Sequence, residues 1–145
     1  MFKEYQYYSN PHNQHVLYIS RRKLDFRKKQ QLRNAIANIQ YAFDETEKKL
    51  IITNLEVATQ YRNMRYGSYL MFKAVDHARK VGMETIILDD MISGSSYKNS
   101  DKLGFYRKCG LSYINEGEPE MEGSINQCYL ICKFQSKMKR KDIIA

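Results

Sequence analysis

The sequence predicts one α/β domain built on a mixed sheet with flanking helices. Its 145 residues are the length of one ordinary domain, so we expect residues 1–145 to form a single unit. Short β-prone stretches alternate with helical patterns, an order typical of mixed α/β sheets. The chain is 43% hydrophobic and 28% charged, which indicates a globular rather than a disordered protein.

The first third of the chain carries two β-prone stretches and one charged helical pattern. Residues 5–8 and 15–19 have the composition of strands, and the turn-forming residues 9–13 separate them. Apolar side chains recur among the charges of residues 24–36. That spacing predicts a short amphipathic helix.

The middle of the chain predicts a hairpin followed by the clearest helix. Residues 38–43 and 49–57 are β-prone on either side of the polar residues 44–48, which predicts an antiparallel hairpin. From residue 66 to 81, apolar side chains recur at spacings of three and four. Gly82 ends this helix, because glycine readily takes the left-handed conformation found after a helix.

The remaining elements are predicted as strand, helix and two strands. Residues 85–88 form a continuous apolar run, typical of a strand covered on both faces. Residues 98–108 form the second predicted helix, which Gly110 ends. Two final strands are predicted at 111–115 and 127–134, on either side of a loop rich in glycine and glutamate.

Basic residues outnumber acidic ones by 24 to 16, for a formal net charge of +8. Seven of them lie within residues 21–33, and we expect residues 135–145 to be a frayed basic tail. The excess attracts an anionic partner, such as a phosphorylated cofactor, a nucleic acid or an acidic protein surface. No nucleic-acid-binding motif accompanies it, so a solvated surface is the simpler interpretation and nucleic acid stays an alternative.

Composition also argues against several classes of protein. No apolar run approaches the roughly 18 residues of a membrane span, and the first residues lack a signal-peptide core. We therefore expect a cytoplasmic protein without membrane contact. Cys109, Cys128 and Cys132 suit free thiols in a reducing compartment. Neither the cysteines nor the three histidines have metal-ligand spacing, so no metal site is expected.

The stretch most suited to chemistry lies between the strand 49–57 and the helix 66–81. A turn that leads straight into a helix presents backbone N–H groups without partners inside the helix, at the positive end of its dipole. Such a terminus binds phosphate oxygens. Gly67 lacks a Cβ, so a phosphate can approach the backbone closely there.

This turn and the strand before it resemble the acetyl-CoA loop of the GCN5-related N-acetyltransferases, the GNAT family. The family pattern is Arg/Gln-x-x-Gly-x-Gly/Ala after a strand of the form Leu-x-Val. Residues 55–57 match the strand and residues 62–67 match the loop, in register. Arg65 stands where the family has its first glycine, and its side chain either points outward or pairs with a phosphate.

A second family pattern is matched later in the chain. The family often carries Asn-x-x-Ala-x-x-Leu/Phe-Tyr-x-Lys-x-Gly-Phe, and the agreeing positions are Asn99, Phe105, Tyr106, Lys108 and Gly110. Lys102 replaces the small residue of the pattern. The resemblance covers about residues 49–134. It implies the GNAT fold, a mostly antiparallel sheet with flanking helices and a splayed middle.

The resemblance further implies transfer of an acetyl group from acetyl-CoA to a primary amine by direct attack. The residues it implies for cofactor binding are Leu55, Val57, Arg62, Asn63, Met64, Arg65, Tyr66, Gly67, Ser68 and Asn99. Loop N–H groups would bind the pyrophosphate, the strand edge would pair with pantetheine, and an N–H near Val57 would polarise the thioester carbonyl. Asn99 would bind the pantetheine arm, or it only caps the following helix.

Three residues are candidates for the proton transfers. By its match to the family's tyrosine, Tyr106 is the general acid that protonates the departing thiolate; a packing residue is the alternative. The general base is open between Glu56 and Asp90, which follows the strand 85–88. The acidic residues 116–123 border the acceptor site in this family, so they either attract a cationic acceptor or form a solvated loop.

The acceptor, a small molecule or a protein, is not specified by the sequence. The alternative function is a catalytically degenerate GNAT-fold protein that acts through protein or nucleic-acid contacts, which Arg65 and Lys102 motivate. Only one short helix is predicted before residue 49. The acceptor groove is therefore either open or completed by a second subunit, which makes a homodimer possible.

Overall fold

The computed structural model describes residues 2–9, 13–25, 31–62, 64–90, 100–136 and 143–144. The strands within these ranges are β1 Phe2–Ser9, β2 Gln14–Ser20, β3 Ala37–Asp44, β4 Lys49–Val57, β5 Thr85–Asp89, β6 Ser112–Tyr113, β7 Glu120–Ser124 and β8 Ile143–Ile144. The α-helices there are α1 Tyr66–Lys80, α2 Ser100–Lys108 and α3 Ile125–Ser136. No described helix has the length and apolar character needed to span a membrane.

All these strands join one sheet in the order β6-β7-β5-β4-β3-β2-β1-β8. The β4–β5 and β1–β8 pairs are parallel and the other pairs are antiparallel. The predicted mixed, mostly antiparallel α/β sheet is therefore confirmed. The hairpin predicted around residues 44–48 is also present, as β3 and β4.

Helix α1 forms where the apolar spacing predicts it and packs its apolar stripe against the sheet. Leu70, Met71, Ala74 and Val75 are fully buried in the main core, because spacings of three and four place them on one face. Gly82 has a φ of +89°, so the helix ends on the left-handed residue that the sequence predicts.

Strand β4 continues beyond the end of β5, which pairs only with the first four residues of β4. Their parallel register runs from Lys49 opposite Thr85 to Ile52 opposite Leu88. At that point the β3–β4 register shifts by a bulge, which bends and twists β4. Beyond the bulge β4 follows β3 as far as Val57, without a β5 register partner.

The predicted helix over residues 24–36 is wrong where the structure describes it. Leu24 lies in irregular backbone. Among the described residues of this segment, 24–25 and 31–36, the only helical turn is the 3₁₀ turn Gln31–Asn34. The ends of the segment bond to β2 instead. Leu24 N donates to the Tyr18 hydroxyl at 3.0 Å, and Ile36 N donates to Ile19 O at 2.8 Å. Tertiary hydrogen bonds thus override the local helical spacing.

The predicted strand over residues 127–134 is also wrong, because that segment belongs to helix α3. Ile125, Cys128 and Cys132 are spaced by three and four and are fully buried against the core. Burial of this apolar helix face in the core therefore overrides the β-prone composition of the segment. The strand beside β5 is β7 instead, which pairs with both β5 and β6. Part of the acidic loop predicted over residues 116–123 lies in this strand.

An aromatic cluster with two histidines closes the end of the sheet opposite the β4 carboxyl terminus. The His15 and His77 rings meet edge-on with centroids 4.9 Å apart, and the Tyr41 hydroxyl is 2.7 Å from His77 Nδ1. Burial lowers the pKa of both histidines. The charge of His77 lowers the pKa of His15 further, and the charge of Lys80 lowers that of His77 further. Asp76 acts against this effect at His77.

This cluster predicts a stability that falls in mild acid. Because the folded histidines have lowered pKa values, the unfolded chain binds protons first as the pH drops below about 6.5. Thermal unfolding should therefore occur at a lower temperature at pH 5.5 than at pH 7.5. His77→Gln should reduce that difference. An unfolding temperature that is unchanged over this range in the parent protein would contradict the prediction.

Candidate functional site

The turn that joins β4 to α1 is tied to the sheet by its backbone and by one arginine. Ala58 N donates to Ile36 O at 2.8 Å, on the β3 side of β4. Since backbone groups alternate sides along a strand, Val57 directs its N–H and C=O away from β3, toward an open side beyond the last β5 partner of β4. Arg62 Nε donates to Val57 O at 3.1 Å, so this side chain lies on the same open side.

Arg65 starts helix α1 in a left-handed conformation, with a φ of 69° and a ψ of 15°. The first helical bond runs from Tyr69 N to Arg65 O at 3.0 Å, and no side chain caps the helix start. A non-glycine residue in this conformation costs about 1–2 kcal/mol. The chain therefore adopts, with an arginine, the backbone shape that glycine would adopt without strain.

Gly67 sits where three elements meet. A Cβ on this residue would lie 3.4 Å from Phe105 Cζ on α2 and 3.9 Å from Val57 Cγ2 on β4. A Cβ there would make ordinary van der Waals contact with both neighbours, so a larger side chain would have to displace one of them or turn toward the start of α1. The residues around it differ in exposure, since Tyr66 is buried, Ser68 is partly buried, and Met64 and Arg65 are exposed.

These features fit a CoA ester. An extended ligand arm can pair with the β4 edge beyond Ile52, where Leu55 and Val57 lie and no described strand occupies the open side. The 15-residue helix that follows has its positive end and its first-turn N–H groups at this turn, an arrangement suited to binding a diphosphate. Gly67 adds close backbone approach at that end.

The carboxyl end of β5 carries the second part of the site. Asp90 N donates to Pro119 O at 2.9 Å, which ties the strand end to the loop before β7. The Tyr113 hydroxyl donates to Asp90 Oδ2 at 2.6 Å. Burial, with help from Asp90, raises the pKa of Tyr113 to about 12, so this phenol stays a hydrogen-bond donor at neutral pH. Arg107 of α2 lies over the Tyr113 ring at 5.3 Å.

An open cleft of about 640 Å³ surrounds this strand end. Its lining residues are Asp90, Arg107, Tyr113, Glu116, Gly117, Glu118 and Pro119. Three of these carry carboxylates and one carries a guanidinium. The sequence singles out Asp90 and the acidic loop, but it does not indicate Tyr113 or Arg107. Pairing of β6 with β7 places Tyr113 beside Asp90, across 23 positions of sequence.

The other predicted catalytic residues occupy different surroundings. Tyr106 is 1% exposed, and its ring lies 5.4 Å from that of Phe105, the residue that meets Gly67. Glu56 is exposed on β4, whereas its neighbour Leu55 is buried. Asn63 and Asn99 lie outside the described residues.

The three cysteines are buried and free. A hydrogen bond with Cys132, together with burial, raises the pKa of Cys109, and burial raises the pKa of Cys128 to about 12. Both groups are therefore neutral thiols and poor nucleophiles at pH 7. In the part of the chain that the structure describes, no three His, Cys, Asp or Glu side chains are grouped closely enough to hold a metal ion.

Comparison with solved structures shows the same fold. GCN5 from Tetrahymena is 19% identical, with a TM-score of 0.54 over 78% of this chain and 69% of that chain. The PaiA N-acetyltransferase from Thermoplasma acidophilum, solved with coenzyme A, is 18% identical, with a TM-score of 0.56 over 77% and 61%. An IAA acetyltransferase from Bacillus cereus is 14% identical, with a TM-score of 0.59 over 86% and 99%. No curated protein matches the chain.

The sequence also matches a family model directly. The model of the acetyltransferase (GNAT) family matches residues 6–111. That region contains the open edge of β4, the turn after it and all of α1 and α2. The fold of this family implies acyl transfer from an acyl-CoA. By this match, and by the fold it shares with solved acetyltransferases, the chain belongs to the GNAT family.

Proposed function

We propose that this protein transfers the acetyl group of acetyl-CoA directly to a primary amine. The observation that carries the proposal is the path of β4. This strand continues past its last β5 partner pair at Ile52, directs Val57 N–H away from β3 and leads through one turn into the start of α1. One stretch of backbone therefore carries N–H donors for a thioester carbonyl, at Val57, and for a diphosphate, at the start of α1.

In this proposal the residues of the turn bind the diphosphate, and those of β4 orient the acyl group. The first-turn N–H groups at Gly67 and Ser68, with the positive end of α1, hold the diphosphate. Arg62 adds a cation on the open side of β4, where its Nε is fixed by Val57 O. Val57 N–H polarises the acyl carbonyl and stabilises the charge that develops on its oxygen. Bound acetyl-CoA supplies the activated acyl group.

Asp90 is the general base in this proposal. It directly follows the carboxyl end of β5, past the last β4–β5 pair, and ligands gather outside such strand ends. The hydrogen bond from Tyr113 fixes one carboxylate oxygen and leaves the other to accept the ammonium proton. Glu56, the other candidate base, lies on β4 and is not one of the residues that line this cleft.

Tyr106 is the proton donor to the departing thiolate in this proposal. In α2 this residue follows Phe105, whose ring meets Gly67 at the start of α1. The transfer is direct in one displacement. Burial of all three cysteines, and the raised pKa of two of them, leaves no described thiolate to form an acyl-enzyme.

The carboxylates around the Asp90 cleft favour a cationic acceptor. Asp90, Glu116 and Glu118 line the cleft in a chain whose net charge is +8, so this surface is locally acidic on a basic protein. Such a cleft concentrates ammonium groups and repels anions. We therefore propose a primary amine that is positively charged at neutral pH.

Calorimetric titration with acetyl-CoA, followed by mass spectrometry of an amine panel, tests the proposed function. The panel contains a lysine peptide, a polyamine and a free amino acid. Binding of acetyl-CoA with acetylation of a panel member supports the proposal. Failure to bind acetyl-CoA at sub-millimolar concentration contradicts it. Binding without acetylation of any member favours the degenerate family member instead.

A further inference from the structure

An arginine outside the recognised loop is connected to the start of α1 through one aromatic ring. The Arg21 guanidinium carbon is 5.2 Å from the centre of the Phe2 ring. The Phe2 ring meets Tyr61 edge-on at 5.5 Å and Tyr66 edge-on at 6.2 Å. Tyr61 and Tyr66 flank the turn to which the diphosphate is assigned. Arg21, Phe2 and the turn thus form one continuous cluster.

The topology of the sheet explains why Arg21 reaches this place. Arg21 directly follows β2, whose last residues pair with Lys3 on one side and with Ala37 on the other. Ala37 in turn pairs with Val57, the last residue of β4. The end of β2 and the end of β4 therefore lie at the same end of the sheet, although 36 positions of sequence separate Arg21 from Val57.

The contact with Phe2 prepares the guanidinium for binding an anion. Arginine stacks on aromatic faces and still presents its N–H groups outward in the ring plane, where they match phosphate oxygens in pairs. Arg21 is exposed, so its outer edge is accessible to a ligand. The contact with Phe2 limits the rotamers of Arg21, which lowers the entropy lost when it binds.

We propose that Arg21 binds the 3′-phosphate on the ribose of CoA, the third phosphate of the molecule. This inference rests on the proposed function, because it places the diphosphate on the first turn of α1. The 3′-phosphate is a monoester at the same end of the ligand, so it needs a cation beside, and not within, the diphosphate turn. Arg21 lies over the Phe2 ring, and that ring in turn packs against Tyr61 and Tyr66 on either side of the turn.

The test compares CoA with 3′-dephospho-CoA by calorimetric titration of the parent protein, Arg21→Ala, Arg21→Lys and Arg22→Ala. The parent should bind CoA about tenfold more tightly than dephospho-CoA. Arg21→Ala should lose this preference, weakening CoA binding about tenfold while changing dephospho-CoA binding less than twofold. Arg21→Lys should keep only part of this preference for CoA, because a lysine ammonium cannot form the two parallel hydrogen bonds that a guanidinium forms with a phosphate. Arg22→Ala, an exposed neighbour, should keep all of it.

Each contrary result has a distinct meaning. Equal binding of the two ligands by the parent protein overturns the role of Arg21 and leaves the proposed function intact. Equal weakening of both ligands by Arg21→Ala also overturns it, since the arginine would then support the turn and not the phosphate. Binding of neither ligand overturns both proposals. Thermal unfolding of each variant within a few degrees of the parent shows that the fold is retained.

Discussion

Asp90→Asn is expected to lower kcat by about 10²–10⁴-fold with little change in acetyl-CoA affinity, because an amide cannot take the ammonium proton. Asp90 lies at the end of β5 with one oxygen held by the Tyr113 hydroxyl at 2.6 Å. The substitution keeps the size of the side chain and can keep that hydrogen bond. Steady-state kinetics with an acetylated amine of the panel, together with titration of acetyl-CoA, measure both quantities.

Two further variants sharpen this experiment. Asp89→Asn removes the neighbouring carboxylate, which lies in β5 outside the lining of the cleft, and should leave kcat within a factor of two. Tyr113→Phe should lower kcat by about tenfold, because it removes one hydrogen bond to a charged group. If Asp90→Asn retains full activity, the proton acceptor is another group and Glu56→Gln becomes the next variant.

Gly67→Val is expected to abolish measurable acetyl-CoA binding. Its Cβ would already lie 3.4 Å from Phe105 Cζ and 3.9 Å from Val57 Cγ2. The two further methyl groups must therefore push α2 away or cover the N–H groups at the start of α1. Calorimetric titration measures the binding, and thermal unfolding measures the cost to the fold.

Two milder variants keep this prediction testable if valine unfolds the protein. Gly67→Ala adds only the Cβ and should weaken acetyl-CoA binding about tenfold. Gly104→Ala on α2, where a Cβ would meet nothing within 4 Å, should leave binding unchanged and stabilise the helix by about 0.5–1 kcal/mol. Full-strength binding by Gly67→Val would show that the diphosphate does not approach this residue.

The sequence predicts those parts of the molecule that local spacing determines. Helix α1 and its glycine terminus, the β3–β4 hairpin and the turn around Gly67 follow from patterns within about 20 residues. Helix α3 is mispredicted because its tyrosine and isoleucine residues favour strands, while its burial depends on contacts with α1 and β7. The helix is therefore stabilised by tertiary contacts, which leave only a weak pattern in the local sequence.

The partners of the site residues depend on contacts that no local pattern contains. Tyr113 reaches Asp90 only after β7 has inserted between β5 and β6. Arg21 reaches the turn after β4 only through the packing of Phe2. The sequence alone could therefore propose Asp90 as a base and residues 21–33 as a basic cluster, but it could not connect either of them to a neighbour.

The complete burial of Cys109, Cys128 and Cys132 has a practical use at the bench. A chromogenic disulfide reagent reacts with accessible sulfhydryls, and the native protein presents none of its own. Colour development during turnover therefore counts only the coenzyme released by acetylation, without a background from the enzyme. In denaturant the same reagent titrates three equivalents per chain, so it also reports the fraction of molecules that have opened.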